Sequence, residues 1–263
     1  MLTKPKTYKT EAVVLRQLPI GEADRIVSLF TPGFGKLRAV VRGARKPKSR
    51  LAGHLEPLVY SRLMLARGRD LDIVSGVETI RSFSHIREDL GLVGRALVCA
   101  ELVDAFVTEG QENRRLFASF IQVLETLDSG AGDLAIWDFE IRLLGLVGYM
   151  PELYDCVSCM NRVSQGQHRF SFSLGGVICA NCTDLPFKAN PITKENLYSI
   201  DLPIGAIKVL RFIQNNSYHD VQRLKIDRHL GRALEDIIHG YTTFILEQRL
   251  KARGFLKDLK SLA

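Results

Sequence analysis

Arg25-Ile-Val-Ser-Leu-Phe-Thr-Pro-Gly-Phe-Gly-Lys-Leu-Arg-Ala-Val-Val-Arg42 reads as two short apolar strands, Arg25–Phe30 and Lys36–Arg42, separated by the dense turn signal Thr31–Gly35. Outward from this pair, Glu11–Arg16 is a further strand before it. Leu58–Leu65 and Leu71–Val77 are two more after it, joined by Ala66–Asp70. Five short strands in so small a span suit a closed barrel of the OB type, and an SH3-like barrel gives nearly the same string.

From about residue 85 the apolar period changes to that of helices. Val98, Leu102, Val103 and Phe106 share the apolar side of one helix, and Leu116 to Leu127 continue likewise. Asp128-Ser-Gly-Ala-Gly-Asp133 breaks that helix, and Asp133 caps another running through Trp137, Ile141 and Leu144 to Gly148. Ile226, Leu230, Leu234, Ile238 and Tyr241 form a later stripe, read as core packing. The fold class is therefore α+β. We expect an OB-fold barrel over residues 1–80 and a helical domain in two parts, 81–150 and 191–263. A zinc-finger insertion is expected at 151–190, with Asn190–Lys194 as the hinge leading out of it.

The insertion is marked by four of the five cysteines. Cys156/Cys159 and Cys179/Cys182 are two Cys-x-x-Cys knuckles with residues 160–178 between them, the spacing of a Cys₄ structural zinc site. Phe170, Phe172 and Leu174 alternate with serines, then Gly175-Gly176 signals the turn that brings the second knuckle back. A redox dithiol, paired disulfides or a relic site that no longer binds metal are the competing readings. A redox motif needs one knuckle, not two. Four sulfur ligands leave no open position, so a Zn²⁺ here would hold structure and not catalyse. Cys99, in an apolar run, reads as a buried core thiol.

The hydrophobic fraction of 46% is that of a globular chain. No apolar run approaches the roughly 18 residues that span a bilayer, and no secretory signal is visible at the N-terminus. The expected location is therefore the reducing cytoplasm, with no membrane partner. The net charge of +7 is uneven. Residues 1–80 hold 15 Lys/Arg against 7 Asp/Glu, whereas residues 81–150 hold 6 against 11. Such asymmetry suggests separate domains with separate partners.

The densest charge lies in residues 36–50, where Lys36, Arg38, Arg42, Arg45, Lys46, Lys48 and Arg50 are unopposed by any acid. Lys36, Arg38 and Arg42 share strand parity and lead into a loop shaped by Gly43 and Pro47. A strand-plus-loop array of this kind can track a phosphate backbone. Its competing reading is a solvated surface loop. Few aromatics accompany it, so backbone binding is expected and sequence readout is not.

Enzyme motifs fail on inspection. Gly35-Lys36 is followed by Leu37, which rules out a P-loop. His54-Leu-Glu56 has the His-x-Glu shape of the zinc deaminases, but Asp155 stands where their proline precedes the first cysteine. His168 could replace a cysteine ligand, though four sulfurs make it superfluous. We expect no catalytic residue.

Tyr8-Lys-Thr-Glu-Ala-Val-Val-Leu-Arg16, Gly21-Glu-Ala-Asp-Arg-Ile-Val27 and Gly35–Arg50, in this order, resemble the RecO family of bacterial DNA repair proteins. The resemblance extends through Leu55-Glu-Pro57, Arg87-Glu-Asp89 and Phe139–Tyr149 into the cysteine segment. It implies an OB-fold, a helical domain and an inserted zinc finger. It also implies a recombination mediator that binds single- and double-stranded DNA and anneals complementary strands. Its implied partners are RecR, the acidic C-terminal tail of single-strand binding protein and, indirectly, RecA, which it helps to load. The alternative is a zinc-ribbon nucleic-acid-binding scaffold in transcription or RNA metabolism, which strand annealing would separate from the first reading.

Overall fold

A computed structural model describes residues 6–183 and 198–262. Five strands come first, in the order β1 (Thr7–Ile20), β2 (Asp24–Thr31), β3 (Gly35–Val41), β4 (Tyr60–Ala66) and β5 (Asp72–Arg81), with a 3-10 turn at Gly53–Leu55. They close into a barrel of order β1-β2-β3-β5-β4. The closure decides between the two barrel readings. β3 runs parallel to β5, Ala39 opposite Asp72, while every other pairing is antiparallel, as in an OB fold. β1 serves two neighbours because its register shifts between Val14 and Arg16: its first half pairs with β4 and its second with β2. A bulge at such a point bends the strand and sharpens its twist, which lets one strand turn the barrel's corner. Val14, Val27, Leu29, Ala39, Leu63 and Leu65 fill the interior.

The helices α1 (Ser84–Glu88), α2 (Leu90–Phe106) and α3 (Arg114–Asp128) follow. Asp89 caps α2 by accepting from Leu92 N at 2.8 Å, and Asn113 caps α3 by accepting from Leu116 N at 3.0 Å. α4 (Asp133–Leu146) comes next, then β6 (His168–Ser171), β7 (Gly176–Ile178), α5 (Ala180–Thr183) and β8 (Ser199–Leu202). The chain continues through α6 (Ile204–Asn215), α7 (Tyr218–Val221), α8 (Arg228–Leu246) and α9 (Lys251–Leu262).

Packing divides the chain into two units, Met1–Gly132 with Lys251–Ala263, and Asp133–Leu250. This differs from the boundaries read in the sequence, which kept residues 81–150 together. The reason lies in what α2 and α3 bury. Phe30 of β2 lies 5.4 Å from Phe117 and 6.2 Å from Phe120 of α3. α9 joins the same unit because Glu101 of α2 accepts from Lys251 N at 2.9 Å and Ala252 N at 2.7 Å, while Leu256 packs over Gly94. In the second unit, Leu234, Ile238 and Tyr241 of the predicted stripe are buried along α8. The expected hinge at Asn190–Lys194 lies outside the described residues.

Candidate metal centre and nucleic-acid interface

Sheet pairing brings the two cysteine knuckles together. β6 and β7 form an antiparallel hairpin with Phe170 opposite Val177 and Ser171 opposite Gly176, and β8 adds on the far side of β6. The free edge of β7 is taken by residues 152–157: Val177 N donates to Glu152 O at 2.9 Å, and Val157 N to Val177 O at 2.9 Å. This pairing delivers Cys156 beside Cys179. Both turn glycines are required. Gly175 has φ +67, and a Cβ on Gly176 would stand 2.6 Å from the Glu152 carbonyl oxygen. Backbone N–H groups of Asp155 and Tyr154 donate to Glu152 and hold its carboxyl below the usual range.

In the first knuckle Met160 N donates to Cys156 O at 2.8 Å, with Met160 at φ 62. In the second, Cys182 N donates to Cys179 O at 2.9 Å. The four sulfurs all lie within 4.8 Å of one another, and Cys159 and Cys179 are 3.8 Å apart. A tetrahedral thiolate site with bonds of about 2.3 Å has sulfur–sulfur edges of about 3.8 Å. The group therefore fits a metal ion. Its electrostatics are mixed. Burial pushes the Cys156 thiol up, but N–H donors from Cys179, Cys159 and Ser158 outweigh it and bring the thiol down to about 7. Burial raises Cys179, and it pushes Cys182 up to about 12. A cation among them would reverse that preference by binding the thiolates. His168 does not belong to the group. Its Nδ1 accepts from Ala180 N at 3.2 Å, which leaves Nε2 to donate to Ser164 O at 2.9 Å.

The seven basic residues divide into two sets. Lys36 and Arg38 do lie on one face of β3, but that face meets carboxylates. Lys36 Nζ is 3.3 Å from Asp104 Oδ1 and donates to the Asp104 carbonyl at 2.6 Å. Arg38 is paired with Glu109 at 2.9 Å, and Arg16 with Asp104 at 3.3 Å. These acids belong to the negative stretch after residue 81. Their role corrects the expectation that the basic and acidic stretches serve separate partners, because part of each is spent on the other within one unit.

Arg42, Arg45, Lys46, Lys48 and Arg50 are exposed, and none of them is in an ion pair among the described residues. Their loop is built from turns and tied to the β1–β2 hairpin. Gly43, at φ +66, donates its N–H to Asp24 Oδ1 at 2.7 Å. Arg45 N donates to Ala23 O at 2.8 Å and Arg45 Nη1 to Gly21 O at 3.0 Å, while Ala44 is buried. The deaminase-like pair is occupied elsewhere: His54 Nδ1 bonds Thr79 Oγ1 at 2.7 Å, and Glu56 pairs with Arg25 at 3.1 Å. Among the described residues no helix is long and apolar enough to cross a membrane.

The chain matches the family described as Recombination protein O N terminal over residues 5–83 and that described as Recombination protein O C terminal over residues 87–254. It is 38% identical over 260 residues to a DNA repair protein RecO of Dehalococcoides mccartyi (strain CBDB1), covering 98% of both chains. It is 36% identical over 260 residues to that of Roseiflexus sp. (strain RS-1), covering 98% of this chain and 88% of the relative. Over 259 residues it is 31% identical to that of Thermoanaerobacter sp. (strain X514), covering 98% of this chain and all of the relative.

Proposed function

This chain belongs to the RecO family of DNA repair proteins, with a role in repair and recombination, and from that premise we propose that it is a mediator that anneals DNA strands. In this reading it binds single- and double-stranded DNA, and with RecR it helps load RecA onto DNA coated by single-strand binding protein. The observation that carries the DNA-binding part is the set of five exposed cations on the loop from Arg42 to Arg50, none of them in an ion pair among the described residues. Two strands repel through their phosphates. A surface that neutralises both charges can hold them close without selecting sequence. The loop's turns fix its backbone to the barrel, so less ordering entropy is lost on binding than for a mobile tail.

The metal we assign to Cys156, Cys159, Cys179 and Cys182 is Zn²⁺, whose contribution when bound is to hold the two knuckles together. We assign the chain no catalytic step. Basic residues of the C-terminal helices would meet the acidic tail of single-strand binding protein. The proposed location is the bacterial cytoplasm.

The test is the rate of pairing of complementary strands coated with single-strand binding protein, with and without RecR. Acceleration by this chain supports the proposal. Binding of both strands without faster pairing would instead make it a nucleic-acid-binding scaffold.

A further inference from the structure

The four sulfurs of the cysteine cluster differ in what surrounds them. Cys156, Cys179 and Cys182 are buried, and Cys159 is the one member that is not. It stands at the solvent end of its knuckle, beside Met160, which is 77% exposed. Backbone N–H groups hold the Cys156 sulfur from both knuckles: Ser158 N donates to it at 3.4 Å and Cys179 N at 3.3 Å. Among the described residues no backbone N–H donates to the Cys159 sulfur, which lies 3.8 Å from Cys179 Sγ. A thiolate without such donors keeps more of its charge for an incoming electrophile.

The ways of pairing these thiols differ in what they leave standing. A bridge inside either knuckle leaves the two knuckles held by main-chain pairing, such as Val157 N to Val177 O at 2.9 Å. A bridge from Cys159 to Cys179 joins them covalently and leaves the Cys156 sulfur under its two N–H groups. Disulfide sulfurs stand about 2.05 Å apart, so the pair must close from 3.8 Å, a movement that rotation of the exposed Cys159 side chain can supply.

We propose that Cys159 is the residue at which hydrogen peroxide oxidises this chain, and that Cys179 resolves the product into a disulfide that expels the metal while keeping the two knuckles joined. The proposal rests on the reading that the cluster holds Zn²⁺. The Cys159 thiolate attacks one peroxide oxygen: an S–O bond forms, the O–O bond breaks and hydroxide leaves, giving a sulfenic acid. The Cys179 thiolate then attacks that sulfur. The S–S bond forms, the S–O bond breaks and a second hydroxide leaves. Together the two thiolates give up two electrons, which peroxide takes, and each hydroxide gains a proton from solvent. Cys156 and Cys182 remain, and two donors cannot close a tetrahedral site. Exchange with free thiols reverses the bridge and restores the four ligands. Metal occupancy thus follows the oxidant without loss of the finger's fold.

The experiment treats the zinc-loaded full chain with hydrogen peroxide and follows released metal with a chromogenic chelator. About one zinc per chain should appear, and non-reducing peptide mapping should link Cys159 to Cys179. Dithiothreitol with added zinc should restore the starting state. The oxidised chain should keep residues 151–183 resistant to protease, whereas a reduced chain stripped by chelator opens there. A bridge inside either knuckle overturns the proposal, as does sulfinic acid at Cys159 with no bridge, or digestion equal to that of the stripped chain. Cys159→His offers zinc a Cys₃His set and removes the attacked sulfur, so peroxide should release its metal about tenfold more slowly or less. Release at the wild-type rate overturns the proposal too. If the variant holds no zinc, the mapping of the wild type decides alone. A wild-type chain that holds no zinc before peroxide is added defeats the metal reading itself, a result distinct from these.

Discussion

Lys36 is pinned by Asp104: its ammonium contacts the Asp104 carboxylate at 3.3 Å and the same residue's carbonyl at 2.6 Å. Only 17% of the Lys36 side chain is exposed. Strand parity places Lys36 correctly, but its partner lies 68 residues away in α2. Lys36→Ala should therefore lower stability by about 1–3 kcal/mol, leaving a half-buried carboxylate with one partner fewer. The salt dependence of DNA binding should hardly change. Urea denaturation and a salt titration on the same variant check both halves. A flattened slope with unaltered stability would mean that Lys36 contacts phosphate after all.

The barrel's strands were legible because alternation is local and the Thr31–Gly35 turn is dense. The choice of OB over SH3-like closure was not, since it hangs on the parallel meeting of Ala39 with Asp72, a non-local pairing with no sequence mark of its own. The clustering of the four cysteines was legible, because the spacing inside each knuckle is short-range and cysteine is rare in this chain. The acid partners Asp104 and Glu109 left only a coarse signal, the negative charge of residues 81–150. The length of β1 left none: the reading ends that strand at Arg16, whereas its pairing with β2 carries it to Ile20.

Removal of the metal should act on the finger first. Elemental analysis should find about one zinc per chain, and Cys156→Ser should abolish it. Structural zinc contributes on the order of 10 kcal/mol to a small module. The loss should open the 151–183 segment to protease while the barrel, whose interior is its own cluster, keeps its protection. A metal-free chain with four titratable thiols and an unaltered digestion pattern would remove the zinc assignment.

Gly176→Ala should damage the same segment from the backbone side. Its Cβ would meet the Glu152 carbonyl oxygen at 2.6 Å, so the pairing that delivers Cys156 beside Cys179 must shift. We expect weaker zinc retention against a chelator, together with a loss of about 2 kcal/mol in stability. Alanine at the exposed Gly132, where a Cβ meets nothing within 4 Å, is the control.

Asp138 of α4 is buried, and burial pushes its carboxyl up to about 6 from 3.8, against the opposing pull of Arg142 at 2.6 Å. A raised folded value means that the native state holds the proton more tightly than the unfolded chain does. This favours the fold below pH 4, and the advantage is lost as pH rises through about 6. Relative to Asp138→Asn, which does not titrate, the wild type should lose about 1 kcal/mol between pH 5 and pH 7. Urea midpoints for both proteins at the two pH values measure this. A constant difference would show that Asp138 stays ionised throughout.

The loop cations make the final prediction. If Arg42, Arg45, Lys46, Lys48 and Arg50 each neutralise one phosphate of a single strand, log K should fall against log salt with a slope of about −3.5. Replacing Arg42 and Arg45 by alanine should flatten that slope by about one to two units and weaken all sequences alike. Loss of the Arg45 Nη1 bond to Gly21 touches an exposed contact, so the melting temperature and zinc content should hold. Annealing should slow in parallel, since the same charges screen both strands. The decisive quantity is the slope of the double variant. A wild-type slope with slower annealing would move the phosphate contacts off this loop, and Arg16 and Arg38 would then have to exchange Asp104 and Glu109 for phosphate.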